Sequence, residues 1–276
     1  MIPYPHIDPV AIRLGPISIR WYGIMYLLGF TATYLLVRKQ LREQAGPLGL
    51  SQEELAKQNI YLDDLILYGA IGVILGGRLG YVLFYNLPYY MHNPIQIFET
   101  WHGGMSFHGG LTGAVIACAL YCRKHKLDPW KWGDMIAVTA PIGLGLGRIG
   151  NFINGELYGR PTNVPWAMIF PNGGPIPRHP SQLYEAFLEG VLLFVILWPL
   201  RNKNWPTGRK VALFLMLYGI VRIFAEFFRE PDPQLGFILW GWVTMGQILS
   251  LAVFIVGVIV WMMRSDAPLL YPEKQQ

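Results

Sequence analysis

Three arginines interrupt otherwise apolar stretches of this chain: Arg78, Arg148 and Arg222. An arginine stays ionised and presents five N–H donors in a planar fork. Three such charges in one low-dielectric site repel one another unless anions are near. The chain supplies some anions itself. Glu226 follows Arg222 by four residues, which puts both on one helical face, and Glu156 can serve Arg148 or Arg78. Glu185 and Glu189 also share a face and can balance an Arg of a neighbouring segment. Internal salt bridges and a site for a bound anion are both open on these residues alone. His108, between Phe107 and Gly109, is the candidate general base, because an imidazole changes charge near neutrality. His102, beside Trp101 and Gly103, competes for that role, and a buried hydrogen-bonding histidine is the plainer alternative. A thiol beside such a base or a cationic site becomes an attainable nucleophile. The chain's own thiols, Cys118 and Cys122, lack the C-x-x-C spacing and nearby metal ligands, so they read as packing residues. H-E-x-x-H, G-x-S-x-G and P-loop patterns are absent, which argues against a zinc protease and an ATP-driven pump.

The elements that must hold these groups are legible from composition. Of 276 residues, 53% are hydrophobic and 14% charged, against about 25% charged in soluble domains. That excludes a disordered chain, a coiled coil and a disulfide-stapled miniprotein, and disfavours an ordinary soluble enzyme. The net charge of +5 comes from basic residues spaced between apolar runs, so it points to membrane topology and to no nucleic-acid partner. The N-terminus, with Pro3, Pro5, Asp8 and Pro9, does not have the pattern of a cleaved signal peptide.

A spanning helix needs about 20 mostly apolar residues. Seven segments qualify: about Ile17–Val37, Leu65–Tyr85, Met105–Cys122, Met135–Ile153, Leu183–Leu200, Val211–Phe228, and one within the uncharged stretch Pro233–Met263. That last stretch exceeds one crossing, so its first residues form a loop or interfacial segment. Lys and Arg concentrate in cytoplasmic loops. Arg38, Lys39, Arg42 and Lys57 follow the first segment, Arg123, Lys124, Lys126 and Lys131 the third, Arg201, Lys203, Arg209 and Lys210 the fifth, and Arg264 and Lys274 the seventh. All fall on one side of a seven-span chain. The expected fold is therefore an all-α polytopic membrane protein, a single integral membrane domain over 1–276. Its N-terminus lies outside and its C-terminus in the cytoplasm. Arg78, Arg148 and Arg222 then sit in the outer half, where a phosphate most simply belongs to an anionic lipid head group. The outer segments, about 86–104 and 154–182, are rich in Pro, Gly and aromatics and form a small structured cap. Ser51–Gln58 reads as a short amphipathic helix opened by a Ser51/Glu54 capping box. Gly69, Gly72, Gly76, Gly77 and Gly80, with Gly109, Gly110 and Gly113, permit close helix approach. Gly143, Gly145, Gly147 and Gly150 weaken an ideal helix and either line a polar cavity or open a loop at the outer surface.

Four motifs carry a family resemblance. They are Gly147-Arg148-Ile149-Gly150-Asn151-Phe152-Ile153-Asn154-Gly155-Glu156-Leu157-Tyr158-Gly159, the run His102–Gly110, the run Arg178–Glu185, and the run Arg222–Arg229. Together they resemble the bacterial prolipoprotein diacylglyceryl transferases, in order, from Ile19 to about Trp261. The resemblance implies a seven-span enzyme of the bacterial cytoplasmic membrane, with catalysis near the periplasmic leaflet. The reaction it implies moves a diacylglyceryl group from phosphatidylglycerol to the lipobox cysteine of a prolipoprotein and releases glycerol 1-phosphate. No metal or soluble cofactor is expected. It implies importance for Tyr26, His108, Arg148, Asn151, Glu156, Gly159, Arg222 and Glu226. In that reading Arg148 and Arg222 bind the lipid phosphate and His108 takes the thiol proton. Asn151 orients the head group or a loop, and Tyr26 hydrogen-bonds near it. Gly159 permits a turn or close lipid approach, Glu226 fixes the fork of Arg222, and Glu156 does the same for another Arg. Arg78 binds or orients alongside them. A transporter or translocase for an anionic substrate is the alternative class; it predicts movement without a covalent product, and often an internal repeat, which this sequence does not clearly contain.

Overall fold

A computed structural model describes residues 2–15, 17–100, 103–231 and 236–271. His102 and the first residues of the uncharged stretch lie outside the described residues. The chain is mostly helical. In chain order it forms an antiparallel hairpin, β1 (Val10–Leu14) and β2 (Ile17–Arg20), followed by α1 (Trp21–Ala45), α2 (Gln52–Tyr85), α3 (Leu87–His92), α4 (Phe107–Lys124), α5 (Pro129–Ala137), α6 (Ala140–Ile153), α7 (Ser181–Leu200), α8 (Arg209–Glu226) and α9 (Met245–Met263). A helical segment falls on each of the seven apolar runs. Among the described residues three helices, α2, α7 and α9, are long and apolar enough to cross a membrane, as is the bent pair α5–α6 taken together. Polar and charged positions dilute the others; α8 alone carries Arg209, Lys210, Arg222 and Glu226.

The chain folds into two compact units, Gly49–Trp132 and Met1–Leu48 with Gly133–Gln276. In the first, Ser51 and Glu54 form the expected capping box: Ser51 Oγ accepts from the Glu54 N–H at 3.2 Å, and the Glu54 carboxylate accepts from the Ser51 N–H at 2.8 Å. The helix it opens is not short. No Gly or Pro interrupts residues 58–65, so amphipathic start and apolar run fuse into one helix of 34 residues, about 51 Å long. Its glycine stripe packs on α4. A Cβ on Gly76 would collide with the Gly109 carbonyl oxygen, and one on Gly72 would meet the Gly113 oxygen at 2.5 Å. Backbone faces backbone there, and neither can yield. Gly76→Val should therefore destabilise the protein by about 3 kcal/mol, read as a lower midpoint of thermal unfolding in detergent. Gly69→Ala should be tolerated, since its Cβ meets only Cys118 Sγ at an ordinary 3.5 Å. Both cysteines are free, Cys122 buried and Cys118 half-buried, as packing residues should be.

In the other unit α1 approaches α6 through Gly29 and Gly143, and α6 approaches α7 through Gly145 and Gly190. The glycine run therefore does not break α6, which is regular from Ala140 to Ile153. The irregularity lies just ahead of it. Pro141 cannot donate a backbone hydrogen bond, and α5 and α6 meet at a 49° bend. Val138 at that bend is fully buried with Leu193 and Leu197 of α7, against Leu213, Leu217 and Val221 of α8. The middle of α7, Ala186–Leu192, is π-helical. A segment of short bridges caps this unit: Pro161 and Met168 each pair with Arg178, and Gly159 pairs with Arg229. Its small core joins Tyr4, Phe152, Met168 and Phe170, and Tyr4 donates its hydroxyl to the Phe152 carbonyl at 2.6 Å.

Candidate active site

Arg148 of α6, Glu185 and Glu189 of α7, and Arg222 and Glu226 of α8 converge in one cluster. Arg148 Nε lies 2.9 Å from Glu185 Oε2 and 3.2 Å from Glu189 Oε2. Arg222 Nη1 reaches the same two carboxylates, at 2.9 Å and 3.2 Å, while its Nη2 reaches Glu226 Oε2 at 2.8 Å. Arg229 Nη1 lies 3.6 Å from Glu226 Oε1. The expected pairing of Arg222 with Glu226 is present, and Glu185 and Glu189 do balance arginines of neighbouring helices, two of them at once. Three arginines face three glutamates, so the formal charges cancel. Ion pairs this deep persist because separating either partner leaves an unpaired charge in an apolar surround.

The two central arginines differ in what they leave free. Arg222 is almost wholly buried, with both terminal nitrogens engaged. Arg148 is 18% exposed and uses only Nε for its carboxylates. Its two terminal nitrogens have no protein partner among the described residues. A guanidinium held this way is oriented from behind and open in front, which is what grasping an oxyanion requires.

Around this cluster stand the other residues of the long motif. Asn151 is buried and donates from Nδ2 to Glu156 Oε1 at 2.9 Å; Asn154 donates to the same oxygen at 3.1 Å. Glu156 thus takes asparagine partners where an arginine was expected, because the turn after α6 brings 151 and 154 back onto it. The backbone is held as well: the Glu156 N–H donates to the Asn151 carbonyl at 3.1 Å, and Gln182 Nε2 donates to the Glu156 carbonyl at 2.7 Å. Gly159 is a close-approach position. A Cβ there would meet the Phe228 oxygen at 2.5 Å and the His179 oxygen at 2.6 Å, where the cap crosses the chain leaving α8. Burial pushes the His179 imidazole below its ordinary value, and its Nδ1 lies 3.1 Å from the Tyr184 hydroxyl. Tyr26 of α1 is partly exposed, its hydroxyl 3.5 Å from that of Tyr22.

His108 and Arg78 belong to the other unit. His108 is exposed in the first turn of α4, behind Ser106, whose Oγ accepts from the Gly109 N–H at 3.2 Å. Arg78 is buried and spent on backbone: Nε donates to the Ile97 carbonyl at 2.8 Å, Nη1 to Gly103 at 2.7 Å and Gly104 at 3.0 Å, and Nη2 to Gln96 at 2.6 Å. It orients the segment that leads into α4.

Sequence reasoning missed several neighbours. Tyr22 lies in electrostatic range of Arg148 and Glu156, and Tyr218 in range of Arg148, Arg222, Glu185 and Glu189. Both were findable, since Tyr22 precedes Tyr26 by four residues and Tyr218 precedes Arg222 by four. Thr244 and Gly246, which abut Glu226, had no such signal.

Comparison with known proteins bears on what this arrangement is for. Residues 9–263 match the family model described as prolipoprotein diacylglyceryl transferase. A phosphatidylglycerol–prolipoprotein diacylglyceryl transferase of Desulfotalea psychrophila is 53% identical over 266 residues, 94% of each chain. One of Francisella tularensis subsp. mediasiatica is 53% identical over 260 residues, again 94% of each chain. With a match spanning nearly its whole length, and with the Arg–Glu cluster inside the matched region, this chain belongs to the prolipoprotein diacylglyceryl transferase family.

Proposed function

We propose that this chain transfers the diacylglyceryl group of phosphatidylglycerol to the lipobox cysteine thiol of a prolipoprotein. Arg148 carries the proposal: a guanidinium fixed by two buried carboxylates, with its terminal nitrogens open. Those nitrogens bind the phosphate of the lipid. Arg222 stands behind as fixed positive charge and, with Glu226, keeps Glu185 and Glu189 in place. His108 takes the proton from the incoming thiol. The thiolate attacks the glycerol carbon that bears the phosphate ester, a C–S bond forms, and the C–O bond breaks. The electron pair leaves on the phosphate oxygen, so glycerol 1-phosphate departs with one more negative charge than the diester carried. Preorganised donors aimed at that growing charge lower the barrier. Asn151 and Glu156 hold the turn over the head group, Tyr26 bonds beside it, Gly159 keeps the cap close, and Arg78 orients the segment ahead of His108.

The membrane arrangement that fits is seven crossings in the bacterial inner membrane, with α5–α6 as one bent crossing. The N-terminus and cap lie on the periplasmic side and the C-terminus in the cytoplasm. The Lys and Arg distribution supports that orientation. Incubating the purified chain with phosphatidylglycerol and a lipobox peptide should add the mass of one diacylglyceryl group to the peptide. An unchanged peptide mass, with both substrates bound, would count against the transferase reading.

A further inference from the structure

Glu226 has a second set of partners that the reaction scheme does not use. Its Oε1 accepts a hydrogen bond from the Thr244 hydroxyl at 3.1 Å, a buried contact across 18 residues. Thr244 is also the N-cap of α9: its Oγ accepts from the Gln247 N–H at 3.3 Å, and Gln247 Oε1 accepts from the Thr244 N–H at 3.0 Å. Two residues on, Gly246 leaves the space the carboxylate fills, since a Cβ there would lie 2.5 Å from Glu226 Oε1. The carboxylate is therefore seated on the first turn of α9 on one side and on Arg222 on the other.

We infer that Thr244 is a positioning residue for the transfer, setting Glu226 and through it the Arg222 fork. This rests on the transferase reading above. One hydroxyl does two jobs, capping α9 and donating to Glu226, and substitutions can part them. Thr244→Ser keeps both. Thr244→Gly keeps a tolerated N-cap residue but has no hydroxyl to donate. Thr244→Val loses both.

The test measures kcat, KM for phosphatidylglycerol and the midpoint of thermal unfolding for the full chain in detergent, with a lipobox peptide as acceptor. Thr244→Gly should unfold near the wild-type temperature yet show kcat about 10-fold lower, with KM little changed, since misaim of fixed charge is felt as the leaving group ionises. Thr244→Val should lose both stability and turnover, and Thr244→Ser should keep both. A merely structural cap would make turnover follow the unfolding temperature, with Thr244→Gly near wild type in each; that result overturns the inference. So does loss of turnover in Thr244→Ser equal to that in Thr244→Val. If the wild type itself transfers nothing, the transferase reading falls and this inference with it. If the wild type is active and Thr244→Gly is fully active, the inference alone falls.

Discussion

Arg148→Lys should lower kcat/KM for diacylglyceryl transfer by about 100-fold or more, the scale of losing one preorganised oxyanion donor. Lysine preserves the charge count of the cluster, so the fold should survive and the loss should fall on chemistry. What lysine cannot supply is the fork. Arg148 directs Nε back at Glu185 and Glu189 and leaves two N–H-bearing nitrogens facing outward. An ammonium is a single point charge; drawn to the carboxylates at 2.9 Å and 3.2 Å, it would have no rigid second face for the phosphate. Steady-state kinetics in mixed micelles, with unfolding temperature as the check on folding, would decide it. Full turnover in Arg148→Lys would remove the clamp from the mechanism.

His108→Gln carries the second large effect, a loss of about 100- to 10,000-fold in turnover at neutral pH, the usual range for a positioned proton acceptor. Glutamine is close in size and polar, and His108 is exposed in the first turn of α4, so packing should hardly notice. The remaining activity should rise steeply with pH. A free cysteine thiol ionises near pH 8.5, so alkaline solution supplies the thiolate that the missing base no longer makes. Near-normal turnover at neutral pH would remove His108 as general base.

These groups differ in how far sequence could expose them. Arg148 and Arg222 announce themselves as charges in apolar runs, and the i,i+4 spacing of Arg222 and Glu226 gave their contact directly. Glu185 and Glu189 were legible as a shared face, but not as the bridge that ties two arginines together, because that needs three helices in register. The π-helical stretch Ala186–Leu192 has no composition signal at all. Glu156 was misassigned for a local reason: the turn after Ile153 folds Asn151 and Asn154 onto it, and spacing alone cannot show a reversal. The glycines of α6 suggested broken backbone, whereas they serve contact with α1 and α7, and Pro141 sets the bend. A helix falls on each of the seven apolar runs that composition marked, and three helices and one bent pair among the described residues are long and apolar enough to cross a membrane. That Ser51–Gln58 continues into its neighbour was legible too, since no Gly or Pro between them stops a helix, but the charges of Asp63 and Asp64 parted the two segments on composition.

The even balance of three arginines and three glutamates has a consequence for energised membranes. A unit charge moved through the full potential changes energy by about 2.3 kcal/mol per 100 mV. A cluster whose formal charges sum to zero feels no net pull, at whatever depth it sits. A uniform field across the membrane then exerts no net force on this framework, only a torque on its dipole. The anionic lipid arriving at Arg148, and the more highly charged product leaving it, would instead carry net charge through the field.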